Sequence, residues 1–158
     1  MNLYLIARSS HIFAMFLTFA LIIGVEPLFM YAARAGTLEE MKRRYRVVQH
    51  LLQLSQLTTM VGLLAALAML LLAGWSPFAP WLVATYGLLA LMSVVGSVGT
   101  GAWQRQLHSL MGADAGMTAR ATMYELLVDR RALVARWAII AIFLLIMIVM
   151  REKPSFGW

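Results

Sequence analysis

His11–Ala33 reads HIFAMFLTFALIIGVEPLFMYAA, an almost unbroken apolar run. Its length is near the ~20 residues that a helix needs to cross ~30 Å of hydrocarbon. Three further runs follow at about Leu51–Ala73, Pro80–Trp103 and Leu133–Met150. Hydrocarbon offers the backbone no water, so each run is expected to close its own hydrogen bonds as a helix. The pattern predicts an all-α integral membrane four-helix bundle. It forms a single transmembrane domain over residues 1–158, with connections at 34–50 and 104–132. The first run is too long for a signal h-region and no A-x-A site closes it, so it is expected to stay in the mature protein.

Composition agrees with that reading. Of 158 residues, 62% are apolar and 13% charged, with a mean hydropathy of +0.79, against about 45–50% and 25% in soluble domains. So much apolar surface cannot be hidden inside a sphere this small, and little chain is left for a soluble catalytic or nucleic-acid-binding module. The absence of Cys excludes disulfides and thiolate chemistry. The net charge of +6 flanks apolar spans, so it is a topology signal before it is a nucleic-acid signal.

Five cations lie between spans one and two (Arg34, Lys42, Arg43, Arg44, Arg46) and five between spans three and four (Arg105, Arg120, Arg130, Arg131, Arg136). Only Arg8, Arg151 and Lys153 lie elsewhere. Ten against three puts both long connections in the cytoplasm and both termini on the periplasmic side of a bacterial inner membrane. Arg43, Arg44 and Arg46 are expected to contact anionic lipid headgroups.

Local signals refine the helices. Thr37-Leu-Glu-Glu40 fits a capping box and predicts one helix from about Leu38 to Leu72. Thr122-Met-Tyr-Glu125 fits a second, opening a helix that runs without a break into span four. GWSPFA at 74–79 is a short uncharged turn with Trp75 and Trp81 beside it, which predicts spans two and three as antiparallel neighbours. The Gly-containing piece Met111–Gly116 is the segment expected to move most.

Ionisable groups in hydrocarbon are costly, so each marks a candidate site. At 100° per residue, His11, Met15, Thr18, Ile22 and Glu26 fall within roughly 80° of one another, one stripe on the first helix. Glu26 is expected to meet Gln53 or Gln56, which share its depth on span two, either as structural glue or as a proton carrier. Gly96 and Gly101 belong to a small-residue surface for helix packing. His11 is either an interfacial hydrogen-bonding anchor or an axial ligand for haem iron or another tetrapyrrole metal. His50 and His108 fall near the other interface, too far to share an iron with His11. Any site is then five-coordinate, or completed by a Met such as Met15. Neither a catalytic set nor a separate metal-binding pattern is visible.

The stretches His11-Ile-Phe, Phe19-Ala20, Pro27-Leu28-Phe29-Met30-Tyr31 and Met41-Lys-Arg-Arg44, with Lys153-Pro154-Ser-Phe156 at the end, resemble HemJ-type protoporphyrinogen oxidases and their CopD-like four-helix relatives. The resemblance implies haem binding at His11. It departs from the family at Thr18, where a Trp stands in those proteins, at Ala32, where they have a His, and at Val83-Ala84-Thr85, where a second His and a Lys are missing. Two functions compete. One is a non-catalytic accessory or structural subunit of a larger redox or photosynthetic membrane complex, packed against other integral subunits or a second copy, with no nucleic-acid partner. The other is a HemJ-like tetrapyrrole oxidoreductase of haem biosynthesis.

Overall fold

In the computed structural model, which describes residues 2–112 and 117–153, the chain forms five helices. They are α1 Leu3–Ala33, α2 Leu38–Ala73, α3 Pro80–Met111, α4 Met117–Leu127 and α5 Arg130–Glu152. Four segments are long and apolar enough to cross a membrane: α1, α2, α3 and the one that ends as α5. Their outward faces carry large apolar side chains such as Phe13, Phe16, Leu64, Leu71, Val98 and Ile148, all exposed. A protein in water would bury these side chains, whereas one embedded in lipid has no reason to. The chain is therefore a multi-pass, lipid-embedded helical bundle. Residues 113–116, most of the piece expected to move, lie outside the described residues.

Thr37 begins α2 as expected, its hydroxyl accepting the Glu40 N–H at 3.2 Å. Gly74 ends the helix in the left-handed conformation (φ 63°) that a residue without Cβ adopts freely. The second capping box does not start a helix. Thr122 lies inside α4, and its hydroxyl donates to the Thr118 carbonyl four residues back at 3.0 Å, the bond a mid-helix Thr commonly makes. The helix expected to run into span four is instead broken after Leu127. Asp129 restarts it by accepting the Ala132 N–H at 2.8 Å, because a short carboxylate at the cap satisfies a free donor that Thr122 never reaches.

The helices pack in two pairs, α1 along α2 and α3 along α5. Close approach is set by small residues. A Cβ at Gly62 would meet Met15 and Ala14, and one at Gly99 would lie 2.5 Å from the Ala135 Cβ. The small-residue surface of α3 therefore works through Gly99. Gly96 makes only ordinary contact, 3.8 Å to Ile139, and Gly101 faces no other helix. The turn between α2 and α3 does not make them packed neighbours, correcting the expectation from its length. Trp75 and Trp81 fill its corner, ring centroids 5.5 Å apart, and each helix spends its tight face on a different partner.

Tyr4, Trp75, Trp81 and Lys153 lie together, which puts Asn2, the 74–79 turn and the end of α5 at one end of the bundle. The packed core sits at the opposite end. There Phe29, Met41, Tyr45, Val48, Trp103, Leu107, Met123 and Leu127 form a buried cluster. The Trp103 ring N–H donates to the Leu126 carbonyl at 2.6 Å, tying the last turn of α4 to α3.

Candidate functional site: a polar stripe inside the bundle

The stripe on α1 turns inward. His11 Nδ1 lies 2.8 Å from the Gly62 carbonyl oxygen. A carbonyl can only accept, so Nδ1 carries a proton, and in the neutral ring the lone pair is on Nε2. One turn on, Met15 packs on the Gly62 surface. Thr18 is fully buried, its hydroxyl 2.7 Å from that of Thr58 and 3.5 Å from that of Thr59. Thr58 and Thr59 each also donate to the Ser55 carbonyl. A short polar seam thus joins α1 to α2 where no water competes.

Glu26 does not meet the glutamines. Gln53 and Gln56 are exposed on the outer face of α2, and the partner of Glu26 comes from α5. Arg136 Nε donates to Glu26 Oε1 at 2.8 Å, the two side chains only 10% and 9% exposed. The guanidinium also stacks on the Phe29 ring at 4.4 Å and lies 5.0 Å from that of Trp103. Its Nη1 is buried and has no hydrogen-bond partner among the described residues. An ion pair satisfies a buried carboxylate more completely than a neutral amide does, and it joins the two helix pairs at the depth of the packed core. A signal for this pairing was present in the sequence. Arg136 is the only charge inside the run Leu133–Met150, as Glu26 is inside His11–Ala33, and opposite charges in hydrocarbon seek each other.

Arg43 and Arg44 both pair with Glu40, at 2.7 and 2.8 Å. Arg44 also donates to the Tyr31 carbonyl at 2.9 Å and lies 4.0 Å over the Tyr31 ring. It thus closes the last turn of α1, leaving Arg43 and Arg46 as the exposed members of the basic cluster.

Between the two helix pairs, toward the end that carries Lys153, lies an apolar cleft whose walls include His11, Met15, Thr59, Tyr86, Met92 and Met150. It encloses about 180 Å³, or about 800 Å³ when the part open between the helices is counted. His50 and His108 are exposed and far from it. His50 precedes Gly62 by twelve residues, roughly 18 Å along the α2 axis at 1.5 Å per residue. That is less than the bilayer thickness but too far for a shared iron. Among the described residues, no three His, Asp or Glu side chains gather as a metal site.

A metal-ligating His almost always donates its other ring N–H to a carboxylate, a backbone carbonyl or water. His11 already has that arrangement. A single imidazole held in this way could offer one nitrogen to a metal. The enclosed volume is below the ~300–1,000 Å³ of typical cofactor sites and holds only part of a macrocycle. No family model, no curated protein and no solved structure matches the chain.

Proposed function

We propose that this chain is a non-catalytic subunit of a larger membrane complex, redox or photosynthetic, and that His11 holds a haem or another tetrapyrrole at the edge of the cleft. The observation that carries the reading is the His11 Nδ1–H bond to the Gly62 carbonyl at 2.8 Å. It fixes the ring by Nδ1, so that the neutral imidazole has Nε2 to offer, and His11 forms part of the cleft wall. The tetrapyrrole would contribute a metal centre able to accept that nitrogen. The protein contributes the fixed imidazole, the thioether of Met15 and an apolar surface. A macrocycle lying partly in lipid reconciles one good donor with a small enclosed volume. The exposed apolar faces of all four spans leave room for other integral subunits or a second copy.

The membrane is a bacterial inner membrane, with both termini periplasmic. Arg136 must be removed from the loop count, since it is paired inside the bundle. Nine cations in the two connections against three elsewhere still favour this orientation. A reporter active only in the cytoplasm should be silent when fused after Trp158. Strong activity there overturns the topology.

The test of the ligand is optical. Protein extracted in mild detergent with its partners should carry a Soret band that His11→Ala abolishes while the complex stays intact. A wild-type complex with no Soret band, or a band unchanged in His11→Ala, removes the ligand reading. The same preparation reports which subunits travel with the chain, and a lone monomer overturns the accessory role. Conversion of a porphyrinogen to a porphyrin by the purified chain would favour the enzymatic alternative instead.

A further inference from the structure

At the end of the bundle away from the core, three aromatic rings from three separate places meet. Tyr4 of α1 stands edge-on to Trp75 in the 74–79 turn, centroids 6.2 Å apart at 88°. Trp75 stands edge-on to Trp81 at the start of α3, 5.5 Å apart at 83°. In such edge-to-face pairs the positive edge of one ring meets the negative face of the next, so the three rings build one aromatic corner. A cation is in that corner: the Lys153 ammonium lies 4.3 Å from the Trp75 centroid and 5.4 Å from that of Trp81. Lys153 reaches it from beyond the end of α5, in the left-handed conformation (φ 44°), with its side chain exposed. A flexible, exposed lysine on a strained residue is a weakly held occupant. Trp rings at the end of a membrane span sit at the headgroup level, and aromatic cages of this kind bind alkylammonium groups.

We infer that the Tyr4–Trp75–Trp81 corner is a binding site for the ammonium of a zwitterionic phospholipid headgroup, with Lys153 as its built-in competitor. The lipid ammonium replaces the Lys153 Nζ on the ring faces. Lys153, released, then reaches the phosphate of the same headgroup, beside the exposed Arg151, whose Nε lies 3.6 Å from Glu152 Oε1. The site is separate from His11 and does not rest on the tetrapyrrole reading.

The test uses the full chain in a neutral detergent with an equal mixture of dioleoyl phosphatidylethanolamine and dioleoyl phosphatidylglycerol, counting lipids retained per protein by native mass spectrometry. Lys153→Ala opens the corner and should retain about threefold more phosphatidylethanolamine than wild type, the size of an exposed cation–π contact. Adding Trp81→Leu to Lys153→Ala should bring retention below wild type. Adding Trp137→Leu instead, which removes an exposed ring at the other end, should change nothing. Tyr4→Leu in the Lys153→Ala background gives an independent loss should the Trp81 variant lose helical signal. Equal phosphatidylethanolamine retention by Lys153→Ala with and without the ring substitutions overturns the site and leaves a lysine clamp. Tetramethylammonium chloride bound by lipid-free micelles as tightly as the lipid would assign the corner to a soluble amine and likewise overturn the inference.

Discussion

Glu26→Gln keeps the shape of the side chain and one acceptor oxygen for Arg136 Nε, yet removes the one countercharge, among the described residues, of a guanidinium that is 10% exposed. At a separation of about 4 Å between charge centres, the attraction is about 4 kcal/mol at an effective dielectric of 20. Removing one member of a buried pair costs about 3–5 kcal/mol, and the retained hydrogen bond places Glu26→Gln at the lower end. We therefore expect a loss of ~3 kcal/mol, about a hundredfold in the unfolding equilibrium. Nη1, already without a partner among the described residues, gains nothing from the amide. Arg136→Met should cost less, ~2 kcal/mol, because a carboxyl left alone in hydrocarbon can take up a proton while a guanidinium cannot lose one. The double variant should then be more stable than Glu26→Gln alone. Reversible unfolding in mixed micelles, followed by helical circular dichroism over the four-variant cycle, measures all three values. Strict additivity of the two single losses, or a larger loss in Arg136→Met than in Glu26→Gln, would refute the clasp.

Glycines of α3 should separate by position. Gly99→Ala puts a Cβ 2.5 Å from the backbone-fixed Ala135 Cβ and should cost ~1–3 kcal/mol by forcing α3 from α5, while Gly101→Ala, facing no other helix, should gain up to ~1 kcal/mol from helix propensity; the same unfolding assay compares them. Gly62→Ala should be milder than Gly99→Ala, since the atom it meets is the flexible end of Met15. Asp129→Ala should remove ~1 kcal/mol by uncapping α5, seen as faster amide exchange at Ala132, whose N–H it holds at 2.8 Å. Trp103→Phe keeps the ring against Phe29 but loses the 2.6 Å bond to the Leu126 carbonyl, so protease sensitivity should rise at α4 and not at α1 or α2.

Long-period features were plain in the sequence. Four apolar runs became four membrane-length helices, and the Thr37 box placed the start of α2 at Leu38, because hydropathy and capping are local and additive along the chain. Pairing was harder to read. The inward stripe from His11 to Glu26 followed from 100° arithmetic, but the stripe says nothing about which helix receives it. Gln53 and Gln56 face outward, and the register set by His11 with Gly62, Thr18 with Thr58 and Phe29 with Tyr45 puts Glu26 opposite Val48–His50 rather than either glutamine. Arg136 was hidden by its neighbours Arg130 and Arg131, which made it look like the last cation of a loop. Asp129 was overlooked for a similar reason: a cap in the middle of a charged stretch carries no hydropathy signal.

The division between a packed end and a cleft end makes the bundle mechanically asymmetric. The two helix pairs are bolted together at one depth by Glu26, Arg136, Phe29 and Trp103. Toward the other end a cleft lined partly by thioethers lies between them, crossed by the Phe19 ring stacked on Phe143 at 5.9 Å and closed at its mouth by Tyr4, Trp75, Trp81 and Lys153. Packing is thus densest at the depth of Glu26 and Arg136 and loosest around the cleft. A change in bilayer thickness around the cleft would therefore alter the room beside His11 more than the same change at the packed end.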